Sequence, residues 1–314
     1  RMHLNSRTVC LVTGLLLPGV VSGDQRRTSY STTIESPNRK HLVRLKPYPE
    51  WPAKRKGPIK RGECHAALYR IEGGKEVKVW ERFLININAP ARVMVTDSGR
   101  YVITMNELHA RHMNPVIIYG ADGTLIKAHD RMSIRWVDLI SGPKRKYVND
   151  GWDAFAVWAF TSDEETFVIR PQGRDILMLF RLKDGAFYSE DAPQRKEATS
   201  MPAEEWEALL AEAHEQVRKA AIAFLASDDP DDRAAGAMAC GELQLSEAIP
   251  ALRTLLTDES MREVRVGAYS DPLRAGERST YHHVRSAARQ ALKEMGITVP
   301  TSSTQPAATA PASE

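Results

Sequence analysis

Two different spacings of apolar residues divide this chain and constrain its fold more than any other feature. Between residues 63 and 190, short apolar runs are separated by turns that contain glycine or aspartate, the pattern of antiparallel hairpins. Between residues 199 and 296, apolar residues recur every three or four positions, which is typical of amphipathic helices. At 314 residues the chain is long enough for about two domains. We therefore expect a multidomain α+β protein, with a β-meander domain followed by an α-helical domain.

The strand-rich region contains hairpins in series. Three similar hairpins have turn glycines at Gly74, Gly123 and Gly185. Further hairpins, with turns at residues 97–99 and 162–165, precede the second and third copies. Two hairpins in series make a four-stranded meander of roughly 40 residues, the size of one propeller blade. The pattern resembles the blades of WD-repeat-like β-propellers, especially in the segments ARVMVTDSGRYVIT and VIIYGADGTLIK.

The number of these units limits the architecture. The region holds about two and a half of them, whereas closed propellers have roughly four to eight blades. We therefore expect a small sandwich, an open stack of blades, or a module whose sheet edges are covered by a partner.

The helical region predicts four helices and resembles a known repeat. Asp229 is expected to cap the second helix and Ser246 the third, while Gly296 is expected to end the last. The segments DRAAGAMACGELQLSEAIPALRTLLTD and VRSAARQALKEMG resemble HEAT repeats of the bacterial, bilin-lyase-like type. This resemblance implies a helical repeat fold and a partner-binding surface, and it implies no particular partner.

The segments outside these two regions have their own signatures. Residues 1–23 combine basic residues, an apolar run and small residues before Asp24, which predicts a cleaved secretory signal peptide. Residues 24–62 carry a net charge of +8 and several prolines, and are expected to form an arm or linker. Such an arm could attach to an anionic envelope polymer, with Trp51 as an aromatic contact. Residues 297–314 form a low-complexity tail.

No set of catalytic or metal-binding residues meets the requirements of a known chemistry. His214-Glu215 starts an H-E-x-x-H look-alike, but residue 218 is arginine, so the second zinc-binding imidazole is missing. His109 and His112 are expected to be ordinary loop histidines. Ser141 and Lys144 form an S-x-x-K pair at the frequency expected by chance, without its companion motifs. The sequence therefore predicts no catalytic residues, no metal site and no cofactor.

A long insert between the third and fourth helices is the strongest candidate for a binding site. The helical region is acidic from residue 197 to residue 259, with a net charge of −10, and the insert then reverses the sign. Loops of this length inside compact repeats are usually functional or disordered, and arginine and tyrosine are enriched at interface centres. The alternative is that the arginines cover the acidic helices within the chain. The candidate partner-binding residues are Arg262, Arg265, Arg274, Arg278 and Tyr281.

These observations favour an exported, non-enzymatic interaction or scaffold protein of the bacterial envelope. It would bind a protein partner through the helical repeat, and the small net charge of +3 does not favour nucleic acid. No integral membrane segment is expected after signal cleavage. One alternative is a hydrolase or lyase with a site on the β-module near His109, His112 and Asp153. Another is a carbohydrate- or envelope-binding module, which would need exposed tryptophans in a row, drawn from Trp80, Trp136, Trp152 and Trp158.

Overall fold

Three four-stranded antiparallel sheets, a two-stranded sheet and four α-helices make up the described part of the chain. The computed structural model describes residues 32–47, 64–86, 90–106, 114–130, 156–173, 176–190, 201–265 and 278–299. This mixture confirms the α+β class expected from the sequence. The predicted signal peptide and the C-terminal tail lie outside the described residues.

Each four-stranded sheet is a meander in which consecutive strands are hydrogen-bonded neighbours. The first consists of β1 (Thr32–Glu35), β2 (His41–Pro47), β3 (Cys64–Glu72) and β4 (Lys75–Phe83). The second consists of β5 (Arg92–Val95), β6 (Val102–Met105), β7 (Val116–Tyr119) and β8 (Leu125–His129). The third consists of β9 (Val157–Phe160), β10 (Thr166–Arg170), β11 (Met178–Arg181) and β12 (Phe187–Ser189).

The first sheet corrects the expectation for residues 24–62. An arm or linker was expected there, but residues 32–47 supply β1 and β2 and complete a third four-stranded unit. The turn between them contains no glycine, and Arg39 takes the left-handed conformation instead, with φ of 57°. The rest of the expected arm lies outside the described residues.

The three sheets stack face to face because their strands bury apolar residues on both sides. In β7, Val116 and Ile118 contact the third sheet, while Ile117 and Tyr119 contact the first. Successive side chains of a strand point to opposite faces, so the second sheet lies between the other two.

The third sheet has a helical layer on its other face. Val168 and Leu179 belong to the same apolar core as Val217 and Leu225 of the helical region. The sheets and the helices therefore share a core rather than meeting at a linker. The helices are α1 (Ala203–Phe224), α2 (Pro230–Glu242), α3 (Ile249–Leu255) and α4 (His283–Glu294).

Small residues let α2 pack closely between α1 and α4. A Cβ atom on Gly236 would lie 2.7 Å from the carbonyl oxygen of Ala221 in α1. One on Gly241 would lie 2.5 Å from the Cα atom of Ala291 in α4. The small-residue face of α2 therefore sets the helix spacing.

The expected helix ends are partly confirmed. Asp229 accepts a hydrogen bond from the backbone N–H of Asp231, and Gly296 follows α4 with φ of 73°. Ser246 does not cap α3: it starts a 3-10 turn, and α3 begins at Ile249 after Ala248. None of the helices that the structure describes is long and apolar enough to cross a membrane.

Candidate partner-binding site

Part of the charged insert folds into a two-stranded hairpin between α3 and α4. Strand β13 (Arg262–Arg265) pairs with β14 (Arg278–Tyr281) in antiparallel register. The register places Arg262 opposite Tyr281 and Arg265 opposite Arg278. Four of the five residues predicted to bind a partner are thus brought together on one short ladder, and Arg274 lies outside the described residues.

An exposed methionine and a half-buried tyrosine lie at the open end of this hairpin, where β13 begins and β14 ends. Met261 directly precedes β13 and is 65% exposed, the highest value among the exposed large apolar residues of the described chain. At the same end of the ladder, Tyr281 lies opposite Arg262, and its ring is 6.2 Å from the His283 ring in an edge-on arrangement. Methionine, arginine and tyrosine are all enriched at protein interfaces. The sequence analysis missed Met261, although its position beside Arg262 could have drawn attention to it.

The second helix begins in a cluster of carboxylates held by residues outside the hairpin. Arg92 of the second sheet donates to Asp229 at 2.8 Å and contacts Asp232 at 2.9 Å. Nε2 of the buried His283 lies 3.3 Å from Oδ1 of Asp231, close enough for an ion pair, but the geometry is not that of a hydrogen bond. These contacts connect the start of α2 to the second sheet and to α4.

Two carboxyl groups in this region have shifted pKa values. Burial raises the pKa of Asp232, and the attraction of Arg92 offsets only part of that effect. Burial also acts on Asp258, but hydrogen bonds from Ser260 and Arg233 outweigh it and lower its pKa. Asp258 is thus held as a carboxylate, and Arg285 donates to its backbone carbonyl.

Other acidic groups of the helices bind the third sheet. Glu242 of α2 accepts from Arg170 at 2.5 Å and from the backbone N–H of Gly173. Glu212 of α1 accepts from the backbone N–H and the hydroxyl of Ser162. Glu212 and Glu242 therefore hold the helical layer against the third sheet.

Some of the histidine and tryptophan candidates lie in the described part of the chain, and the others lie outside it. His214 lies 2.9 Å from Glu190, and Trp80 is 7% exposed between the first and second sheets. Trp158 packs edge-on against Phe224, with ring centroids 5.4 Å apart. The two candidate tryptophans in the described part, Trp80 and Trp158, therefore pack against other side chains and do not form the exposed row that a carbohydrate-binding face would require. His109, His112, Trp136, Ser141, Lys144, Trp152 and Asp153 lie outside the described residues.

The described residues contain no group of three or more histidine, cysteine, aspartate or glutamate side chains placed to hold a metal ion. The two cysteines in this part, Cys64 and Cys240, are buried and unpaired by a disulfide. Burial raises the pKa of each thiol to about 12, which keeps it protonated near neutral pH and poorly nucleophilic.

No protein-family model and no curated protein matches the sequence. Among solved structures, the chain is similar to a protein of Bacteroides uniformis ATCC 8492 assigned as a 6-phosphogluconolactonase, with 10% identity and a TM-score of 0.28. That comparison covers 52% of this chain and 40% of the other. The periplasmic gluconolactonase PpgL of Pseudomonas aeruginosa gives 15% identity and a TM-score of 0.27 over 49% of this chain and 39% of the other.

A protein of Bacteroides fragilis NCTC 9343, also assigned as a 6-phosphogluconolactonase, gives 10% identity and a TM-score of 0.27. That comparison covers 52% of this chain and 38% of the other. This chain thus matches about two fifths of the length of each of these structures. Similarity at these TM-scores carries no argument about activity.

Proposed function

We propose that this chain is an exported, non-enzymatic interaction protein that binds an acidic protein surface through the β13–β14 hairpin. The three sheets would be propeller-like blades, and the helices a HEAT-type repeat that carries the hairpin. The observation that carries the proposal is the register, which sets Arg265 opposite Arg278 and Arg262 opposite Tyr281. Like charges at directly opposed positions destabilise an antiparallel pair, so an anionic partner would stabilise this hairpin.

The pairing of the helix carboxylates also supports the proposal. If the arginines of the insert only neutralised the acidic helices, the carboxylates of those helices would need these arginines as partners. Asp232, Glu242 and Asp258 already contact Arg92, Arg170 and Arg233, respectively. The exposed Met261 adds an apolar contact beside the arginines. Arginine with methionine or tyrosine is a composition suited to an interface.

The test separates partner binding from an internal structural role. Replacing both opposed arginines, Arg265→Gln with Arg278→Gln, should weaken binding of a fluorescein-labelled polyglutamate probe by roughly 1–3 kcal/mol in anisotropy titrations. The melting temperature should stay unchanged or rise, because the repulsion between the two arginines is removed. A matched control, Arg44→Gln with Arg70→Gln on the first sheet, should leave probe binding unchanged. A lower melting temperature with unchanged binding would instead identify the arginines as an internal cover.

The hydrolase alternative has a direct test of its own. The names of the similar solved structures agree with a hydrolase better than with an interaction protein, although their TM-scores give this no weight. Of the residues suggested for such a site, His109, His112 and Asp153 lie outside the described part. Enzymatic turnover of gluconolactone by the purified chain, followed in a pH-stat, would contradict the proposal of a non-enzymatic protein.

A further inference from the structure

Strand β4 is an edge strand among the described sheets, and it carries several exposed apolar residues. It is nine residues long and lies at the end of the first sheet, where β3 is its only neighbour among the described strands. Val77, Val79 and Phe83 are 38%, 44% and 60% exposed, and they are three of the five exposed large apolar residues of the described part. The other edge strands of the three four-stranded sheets have three to five residues.

Long, exposed, apolar edge strands offer a row of backbone donors and acceptors to another strand. Among the residues that the structure describes, none covers the side chains of Val77, Val79 and Phe83. This edge can therefore accept a strand from another molecule.

The charge pattern of β4 suits a second copy of the same strand. Lys78 and Glu81 form an ion pair of 2.5 Å within the strand. A β-bulge between Lys78 and Trp80 leaves Val79 without a partner residue on β3. The bulge shifts the alternation of side chains by one residue, so Lys78 and Glu81 lie on the same face of β4 although they are three residues apart. In a two-fold antiparallel pair, directly opposed residues must share a face. A register with Lys78 opposite Glu81 of the second copy meets this condition.

This register gives two reciprocal attractions, because a two-fold axis repeats every contact. Val79 then lies next to the axis, where its exposed side chain would be covered. We propose that β4 pairs with β4 of a second copy in this register, joining two first sheets into one continuous sheet in a symmetric dimer.

The test uses two opposite single-charge variants of the full chain. Sedimentation velocity over a range of concentrations should show a reversible dimer for the native chain. Lys78→Glu alone and Glu81→Lys alone should each weaken dimerisation by at least about tenfold, because like charges then face each other twice. A mixture of the two variants should restore dimers, since every opposed pair in the mixed dimer is again of opposite charge.

The mixture distinguishes contacts between copies from contacts within one chain. Each variant lacks the internal Lys78–Glu81 pair, and mixing cannot restore it, so recovery requires the proposed interface. Val79→Lys should also give monomers, while Leu125→Lys on β8, whose side chain is 42% exposed, should not. Circular dichroism melts of each variant check that it is folded. A native chain that stays monomeric, or folded variants whose mixture does not recover, would overturn the proposal.

Discussion

His129 is a buried histidine between the second and third sheets. It is 2% exposed, and its ring packs edge-on against Phe180 and Phe187 at 5.0 Å and 6.2 Å. Burial, assisted by the charge of Lys127, lowers its pKa to about 4 from an ordinary value of 6.5. The folded protein therefore holds this ring neutral where the unfolded chain would protonate it.

This difference predicts a specific loss of stability in acid. A depressed pKa contributes stability above the unfolded value of 6.5, and that contribution disappears as the pH falls towards the folded value of about 4. At pH 5 the loss attributable to His129 should be about 2 kcal/mol relative to pH 8. Urea unfolding at both pH values should show a smaller difference for His129→Phe than for the native chain. An unchanged pH dependence in His129→Phe would contradict the assignment.

Two turn glycines provide a matched test of the contact between the first two sheets. Gly74 and Gly123 occupy equivalent hairpin turns with φ of 78° and 79°. A Cβ atom on Gly123 would lie 2.9 Å from Cδ2 of Trp80, whereas one on Gly74 would meet nothing within 4 Å.

Gly74→Ala should therefore cost only the left-handed strain, about 1–2 kcal/mol. Gly123→Ala should cost about 1–3 kcal/mol more, because Trp80 must also move. Chemical denaturation of both variants measures the difference. Equal losses of unfolding free energy in the two variants would mean that the Gly123 turn of the second sheet does not pack against Trp80.

At the scale of elements, equivalent turns of the three sheets are linked by carboxylates. Asp97 of the second sheet accepts from the backbone N–H of Asn38 in the first. Glu164 of the third sheet accepts from the backbone N–H groups of Asp97 and Ser98. Glu212 of α1 makes the corresponding contact to Ser162. The helix therefore takes the place that a further sheet would have in this series.

The acidic turn formed by Asp163, Glu164 and Glu165 makes specific contacts to neighbouring groups. In the structure, Asp163 accepts from the backbone N–H of Glu165, and Glu165 pairs with Arg100 of the second sheet. The sequence could not reveal these roles, because each depends on which turn lies opposite in the stack.

The pair Arg170–Glu242 is a buried link between the third sheet and α2. The Arg170 side chain is 5% exposed and that of Glu242 is 19% exposed. Removing one member of a buried pair leaves the other charge without compensation. Arg170→Ala should therefore lower the free energy of unfolding by about 3 kcal/mol. The more exposed pair Arg44–Glu76 provides the control: Arg44→Ala should lower the free energy of unfolding by less than about 1 kcal/mol. Similar losses in the two variants would contradict the greater contribution assigned to Arg170.

The local order of strands and helices was largely predictable, whereas their assembly was not. Turn residues and apolar spacing located β3 to β12 and the four helices. The turn between β1 and β2 escaped because residues 24–62 are basic and contain several prolines, a composition typical of a linker. In that turn, Asn38 accepts from the backbone N–H of Lys40, as Ser98 accepts from that of Arg100 in the second sheet. A small polar residue two positions before the end of the turn is the signal that could have revealed it.

The candidate site was predictable in composition but not in geometry. Arginines and a tyrosine marked the insert, but nothing in the sequence showed that Arg265 and Arg278 would face each other across a ladder. Strand register depends on long-range pairing and on turn geometry, which single-residue patterns do not encode.

At the scale of the whole molecule, the helices act as the outermost layer of the stack. The face of the third sheet that carries Val157, Val168 and Leu177 would be exposed without them. The same core contains Ala234 and Cys240 of α2 and Val284 of α4. The sheets and helices should accordingly unfold together, and the β13–β14 hairpin is carried by the layer that covers the third sheet.

Native-state hydrogen exchange in increasing urea tests this central claim most directly, because it reports the opening free energy of each segment. The most protected amides of β6, β10 and α2 should converge on one common opening free energy and one common dependence on urea. Leu179→Ala, in the shared core, should lower that value equally in all three segments. Exchange of α2 through a separate opening of lower free energy, with β6 and β10 still protected, would contradict the claim and make the helices an independent unit.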